Sequence, residues 1–325
     1  MTMFDVFAKT LKESILKAET IVLSAHINAD GDAVGSVMTA DHYIRSLGKA
    51  PYTFVSFKGT KFDRILKREN TTEPKDAPAS PDLFISLDCG DKNRLGEGKA
   101  LFENAKNTIN IDHHISNTNF AENNLVCPKA SSTCELVYEL LSRLDEIDTY
   151  TAECLYTGLL TDTCAFKHSS TGKRTMEIAG ELMAKGIDFT DIQADMLYRH
   201  DFTAAKVFAK AVSNMELKDG IAYTTLTLKE IRSCGAIFEQ LDGIAEYCLN
   251  TIGAVCSVFL YEKAEKTIKC SFRSTGVNVN RAASSFGGGG HICAAGCTIE
   301  GFELEEALEK CLNALRNEIN ENNGN

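Results

Sequence analysis

The sequence predicts an α/β protein in two parts: an N-terminal parallel-sheet domain of βαβ units with helices on both faces, then a helical connector and a smaller α/β domain with a mixed sheet. Three observations predict it. In the first half, short apolar β-rich runs alternate with helical patterns, as parallel strands joined by right-handed crossovers require. From 188 to 217 the pattern stays helical and fairly polar, with no strand. Beyond that, strands resume. A chain of 325 residues also fits two domains of roughly 100–200 residues each, both large enough to bury a core without disulfide or metal staples. The expected divisions are 1–190, a connector over 191–217, and 218–325.

In order, the first strand is Thr20-Ile21-Val22-Leu23-Ser24, followed by a helix over 33–47. Strands follow over 52–57, 83–87 and 108–111. The segment 71–81 holds three prolines among small polar residues and reads as a loop. Helices are expected over 132–144, 149–160 and 175–185. In the second part, strands span 221–228, 254–261 and 267–273. A glycine-rich loop covers 287–290, an amphipathic helix covers 304–319, and the last six residues fray.

Composition narrows the function. No run of about 18 apolar residues occurs, so no membrane span is expected. The N-terminal stretch is amphipathic without an apolar signal core, which predicts a cytoplasmic protein. The twelve cysteines are scattered and include no Cys-x-x-Cys pair, which favours reduced thiols over a disulfide framework or a zinc knuckle. Lys and Arg number 34 against 45 Asp and Glu, a formal charge of -11. That balance argues against a partner as long as a nucleic-acid strand, which needs an extended basic surface. A short phosphorylated substrate held by metals and a few arginines remains compatible with it.

The informative residues are those that end each strand. The first strand runs into His26, Asp30 and Asp32, the third into Asp88, and the fourth into Asp112, His113 and His114. Asp162 closes the helix that begins near 149. In open α/β sheets, ligands bind beyond the carboxyl ends of the strands, at a switch in strand order. Crowded carboxylates raise each other's pKa unless a cation neutralises them. Oxygen and imidazole donors without thiolate suit manganese, magnesium or cobalt better than structural zinc. Six or more donors exceed one tetrahedral ion and fit two ions sharing a carboxylate, the device for in-line displacement at phosphorus. Each motif alone also fits a plainer role: Asp32 as a helix N-cap, Asp88 as a turn residue, Asp162 as a helix-end residue. Their coincidence at one edge is what points to chemistry. Cys89 and Cys164, beside these residues, read as neutral packing thiols.

These motifs, His26/Asp30/Asp32, Asp88, Asp112-His113-His114 and Asp162, resemble the four motifs of the DHH phosphoesterase superfamily. The run Gly287 to Gly296, with His291 at its centre, resembles the signature of the DHH-associated C-terminal domain. Within the superfamily, the two-domain layout most resembles the NrnA-type branch of nanoRNases (oligoribonucleases) that also act on 3′-phosphoadenosine 5′-phosphate (pAp). One departure is Ala29, where the family usually has proline; it removes loop rigidity but no donor.

The resemblance implies a manganese-dependent hydrolase, with magnesium or cobalt as substitutes, that cleaves short RNA oligonucleotides and pAp by a two-metal in-line mechanism. It implies that His26 and Asp30 hold one ion, that Asp32, His113 and Asp162 hold the other, and that Asp88 bridges both. His114 would sit by the scissile phosphate, with Asp112 supporting its loop. In the second part, consecutive glycines let a backbone approach an anion closely, and His291 is expected to open a short helix whose N-terminus favours phosphate. Arg273, Ser274, Arg281, Gly288, Gly289, Gly290 and His291 are therefore the expected substrate contacts, although Arg281 also fits a surface helix. Metals on one part and the glycine segment on the other predict a substrate that reaches from one to the other, with the connector as a hinge. Such a substrate would be a few nucleotides long.

Related activities share these N-terminal motifs. A soluble cyclic-dinucleotide or pApA phosphodiesterase is the enzymatic alternative. A family II pyrophosphatase would carry a different C-terminal partner, and a RecJ-like exonuclease would be longer and more basic. A nucleotide-sensing binding protein would lack a metal ligand, and none is missing here. A homodimer is compatible with the layout.

Overall fold

A computed structural model describes residues 2–57 and 61–323 of the chain. It divides into two compact units, Met1–Arg199 and His200–Asn325. The first holds α1 (Met3–Lys17), β1 (Ile21–Ser24), α2 (Gly31–Ser46), β2 (Tyr52–Phe54), β3 (Leu83–Leu87), α3 (Lys99–Glu103), β4 (Thr108–Asp112), β5 (Asn123–Val126), α4 (Thr133–Leu141), α5 (Thr149–Asp162), α6 (Lys173–Met183) and α7 (Phe189–Gln193). Its five strands are all parallel, in the order β2-β1-β3-β4-β5.

Parallel strands covered on both faces are apolar at successive positions rather than alternating. Accordingly, every residue of β1, β3 and β4 is buried. Ile21, Leu23, Ile85 and Ile111 join one core with α1, α2, α4, α5 and α6. Val22 and Phe84 face the other side, where Leu101 and Phe102 of α3 cover them. Because β1 lies between β2 and β3, the strand order reverses there, and a crevice opens beyond the carboxyl ends of β1 and β3.

Helix α1 and strand β5 are among the elements that escaped the sequence pattern. Helix α1 is capped by Thr2 in a box with Asp5 and buries Ala8, Leu11 and Ile15. Strand β5 reads Asn-Asn-Leu-Val and buries only Leu125, so it carries no apolar run to recognise. Helices α2 and α5 cross closely because glycines line the crossing. A Cβ on Gly35 would lie 2.5 Å from the Cys154 carbonyl oxygen, and one on Gly158 would lie 2.8 Å from Asp32 Oδ1 of α2 and 2.2 Å from Cys134 Sγ of α4.

The second unit holds α8 (Phe202–Ser213), β6 (Glu216–Lys218), β7 (Ile221–Leu226), α9 (Leu228–Ser233), α10 (Ile244–Leu249), β8 (Cys256–Ala264), β9 (Thr267–Ser274), α11 (Val279–Ser284), β10 (Gly289–His291), β11 (Ala294–Glu300) and α12 (Leu304–Asn323). Its six-stranded sheet has the order β10-β11-β9-β8-β7-β6, with β7 and β8 parallel and the remaining pairs antiparallel. Strand β9 buries every second residue, the period-two pattern of a strand with unlike faces.

Two expectations about this region need correction. The stretch 191–217 is not one connector. Helix α8 buries Val207 and Ala211 in the core of the second unit, and the units divide between Arg199 and His200. Nor does a loop over 287–290 lead into a helix at His291. Gly289, Gly290 and His291 form β10, paired antiparallel with Gly296, Ala295 and Ala294. Among the described residues, no helix is long and apolar enough to cross a membrane.

Candidate active site

The site is assembled where β1, β3 and β4 end. His26 follows β1 and is buried, and its Nδ1–H donates to the Ile27 carbonyl at 2.8 Å. That bond places the Nε2 lone pair toward Asp88 (3.5 Å) and Asp30 (3.9 Å), the usual way a second hydrogen bond sets which histidine nitrogen faces a metal. Asp30, not Asp32, caps α2: one of its oxygens accepts from the backbone N–H groups of Asp32 and Ala33, both at 3.1 Å.

Asp32 has a different task. Its fully buried carboxylate accepts the Thr133 N–H at 2.6 Å and the Cys134 N–H at 2.8 Å, at the first turn of α4. An anion at a helix N-terminus is favoured by the free N–H groups and the dipole. Even so, burial pushes the Asp32 carboxyl well above the ordinary range, and the neighbouring Asp88, Asp162 and Asp30 push it further.

Asp88 stands at the centre. It is 1% exposed and adopts a left-handed backbone, φ 51°, a strained conformation of the kind that concentrates at functional sites. Thr133 Oγ1 donates to its carboxylate at 3.0 Å. His113 Nε2 lies 3.7 Å from it and His114 Nδ1 3.6 Å. Burial alone would raise its pKa, but the three imidazoles outweigh burial and hold it below the ordinary carboxylate value.

Asp112, the last residue of β4, is fully buried and pairs with His114 Nδ1 at 2.7 Å. Its other oxygen accepts from Asn117 Nδ2 at 2.6 Å. The His114 ring is thereby aimed, and Asp112 first, against burial, raises its pKa. His113 Nε2 also lies 3.5 Å from Asp162. Asp162 ends α5, where its carboxyl is pushed up to about 6 by burial, and by Asp88 and Asp30 against the lowering effect of His113. Cys164, Ala165 and Phe166 then turn left-handed in succession, with φ 48°, 59° and 62°. The turn is held by Ala165 N–H to the Leu160 carbonyl (2.8 Å) and Phe166 N–H to Thr163 Oγ1 (2.9 Å).

The six residues His26, Asp30, Asp32, Asp88, His113 and Asp162 thus lie together, with His114 and Asp112 beside them. Three groups each bring donor atoms within 4.8 Å of one another: His26, Asp30 and Asp88; Asp32, His113 and Asp162; and Asp88, His113 and His114. Carboxylates this crowded, two of them with raised pKa values, are neutralised either by protons or by a cation. Oxygen and imidazole donors with no thiolate among them fit a hard or borderline divalent ion. Of the two thiols expected to be packing residues, Cys89 is buried, and burial pushes it up to about 11. Cys164 is exposed instead, because the left-handed turn carries it outward.

In the second unit, Arg273 pairs with Ala294, which pairs with His291, so the three form one row across β9, β11 and β10. Residues directly opposite across a sheet share a face, which puts Arg273 and His291 on the same side with only an alanine between them. Glu246 accepts from Arg273 Nε. Buried Ser274 donates its hydroxyl to the Val277 carbonyl. The glycines serve close packing: a Cβ on Gly288 would lie 2.3 Å from the Gly296 carbonyl oxygen, and one on Gly290 2.5 Å from that of Ala294. Arg281 lies apart on α11, paired with Glu321 and Glu318 of α12.

Sequence reading missed the supporting shell: Thr133, which serves both Asp32 and Asp88, and Asn117 with Asn110, which bond each other at 2.8 Å behind Asp112. Asn110, a fully buried amide between two isoleucines of β4, was the one legible hint.

Residues 20–159 match the DHH family, N-terminal domain, and residues 220–321 match the DHHA1 domain. A bifunctional oligoribonuclease and PAP phosphatase NrnA of Thermus thermophilus is 30% identical over 315 residues, 95% of this chain and 94% of that protein. The chain belongs to the DHH family. A crystal structure of an exopolyphosphatase-related protein from Bacteroides fragilis matches it with a TM-score of 0.84 at 27% identity, covering 98% of each chain. The cyclic-di-AMP phosphodiesterase GdpP of Bacillus subtilis is 27% identical over 334 residues, 95% of this chain but 49% of that protein. This DHH chain is accordingly a phosphoesterase, with histidine and aspartate groups that could hold divalent metal.

Proposed function

We propose that this DHH phosphoesterase is a manganese-dependent enzyme that hydrolyses short oligoribonucleotides and pAp in the cytoplasm. The observation that carries the reading is the convergence of four carboxylates and two imidazoles at the strand-order switch. It is supported by a near-full-length NrnA relative named for both activities. Two ions held there would supply Lewis acidity at phosphorus and activate water. His26 and Asp30 would hold one, Asp32, His113 and Asp162 would hold the other, and Asp88 would serve both. Asp112 orients His114 so that its remaining nitrogen faces the phosphate. Arg273, His291 and the backbone of Gly289 and Gly290 bind a substrate phosphate, whereas the Ser274 hydroxyl and the Gly288 N–H are spent on the Val277 and Ala283 carbonyls. Strand β10 is a sheet edge, so its outward N–H groups are open to an anion.

The deciding assay offers manganese-loaded protein pAp, a ribodinucleotide, cyclic di-AMP and pyrophosphate. Turnover of pAp and the dinucleotide is expected. Turnover confined to cyclic di-AMP would favour the phosphodiesterase alternative, and turnover confined to pyrophosphate would overturn both. Arg273→Ala should raise KM for the dinucleotide by about tenfold or more, the usual scale for a lost charged hydrogen bond. Its metal content should stay unchanged; metal loss in this variant would contradict the separation of roles.

Proton linkage gives a second test. Without an ion, a carboxyl at about 6 binds its proton more tightly in the folded state, so it costs stability as pH rises from the ordinary carboxylate range through that value. A bound cation removes this cost, and below about pH 6 it must displace the proton. The rise in Tm on adding manganese should therefore be largest near pH 7.5 and shrink toward pH 5. An increment independent of pH would contradict Asp162 as a ligand.

A further inference from the structure

Arg94 lies in the 3₁₀ stretch Lys92–Gly98 that follows Asp88, and its side chain is exposed. Every other arginine of the first unit is paired with a carboxylate, from Arg45 with Asp41 to Arg199 with Asp191. Arg94 has no such partner among the described residues. In a chain of formal charge -11, an arginine beside an acidic cluster that nonetheless meets no carboxylate is placed for an anion that is not part of the protein.

Its backbone is held on both sides. The Arg94 carbonyl accepts the Ile27 N–H at 2.7 Å, and its own N–H donates to the Asp91 carbonyl at 3.0 Å. Gly96 is left-handed at φ 57°, and a Cβ there would meet Ile27 at 2.5 Å. The stretch is therefore clamped to the residue that follows His26. On its other flank, Gly90 packs under His114, where an added Cβ would lie 3.4 Å from the histidine Cβ. The stretch that carries Arg94 therefore runs between the residue after His26 and the loop under His114, at the same edge as the clustered donor groups.

We propose that Arg94 binds a non-bridging oxygen of the substrate phosphate at this edge, fixing it against His114 and offsetting its charge as the phosphorus centre is attacked. The guanidinium fork suits two phosphate oxygens at once, which an ammonium cannot match. This inference rests on the phosphoesterase reading of the site and adds a catalytic residue that the metal ligands do not include.

Inorganic phosphate is the probe. Manganese-loaded wild type, Arg94→Ala and Arg94→Lys are titrated with phosphate by calorimetry, alongside kinetics on pAp and a ribodinucleotide. Arg94→Ala should bind phosphate ~10–100-fold more weakly, the range of a lost charged hydrogen bond, with kcat/KM reduced and with metal stoichiometry and Tm unchanged. Arg94→Lys should fall between the two. Equal phosphate affinity in wild type and Arg94→Ala, including none in either, overturns the proposal. If wild type cleaves neither nucleotide while Arg94 still governs phosphate affinity, the substrate reading fails and the assignment of Arg94 stands.

Discussion

Asp88→Ala is expected to lower turnover by on the order of a thousandfold or more, since a metal centre contributes several kcal/mol at phosphorus. Asp88 is the carboxylate common to two of the three donor groups, and His26, His113 and His114 all approach it within 3.7 Å. Its removal leaves three imidazoles without their shared anion and any ion pair without its common oxygen. Alanine also tolerates φ 51° poorly, so lost activity alone could reflect a displaced loop. Asp88→Asn separates the two effects. Asparagine accepts the left-handed conformation more readily and its amide oxygen can still accept from Thr133. Asp88→Asn should thus keep its fold by circular dichroism and Tm yet lose both metal and turnover. An Asp88→Asn protein that binds two ions and turns over at the wild-type rate would remove Asp88 from the centre.

Gly158→Ala should be the most damaging small change to the scaffold. In the middle of a helix, glycine to alanine ordinarily stabilises by about 0.5–1 kcal/mol. Here the added Cβ would lie 2.2 Å from Cys134 Sγ and 2.8 Å from an Asp32 oxygen. Both neighbours are fully buried, and Asp32 is held by two N–H groups of α4. Relief requires α5 to move off α2 and α4, at a cost of about 1–3 kcal/mol typical of overpacking. The net result is a lower Tm together with weaker metal binding, because Asp32 is displaced. Gly180→Ala is the control: it lies in α6 with nothing within 4 Å of the added Cβ, and it should stabilise slightly. Equal Tm shifts in the two variants would show that the crossing is looser than these distances imply.

The chain order of polar residues was enough to locate the edge where these carboxylates and imidazoles gather. A parallel strand buried on both faces reads as a mostly apolar run, so the first carboxylate or imidazole after or at its end marks its carboxyl end. His26, Asp88 and Asp112-His113-His114 stand at such points, and the fold rule for open sheets carries them to one side. Asp162 was legible for a related reason, as a carboxylate at a helix end where the dipole disfavours it.

Tertiary structure alone decided what surrounds that edge. That Asp30 rather than Asp32 caps α2, and that Asp32 receives α4 instead, depends on a helix about 100 residues later in the chain, beyond the reach of any local pattern. Arg94 carries no motif; it becomes notable only because the other arginines of the first unit find carboxylates and it finds none among the described residues. The run after Gly287 read as a loop because consecutive glycines carry no side-chain periodicity. It is strand β10, held by hydrogen bonds to β11 that a glycine backbone makes as readily as any other. The stretch 191–217 read as a connector because α8 shows its apolar face only to a sheet formed later in sequence. Side-chain patterns report burial and local conformation, whereas which groups meet across the fold is set by packing between segments distant in the chain.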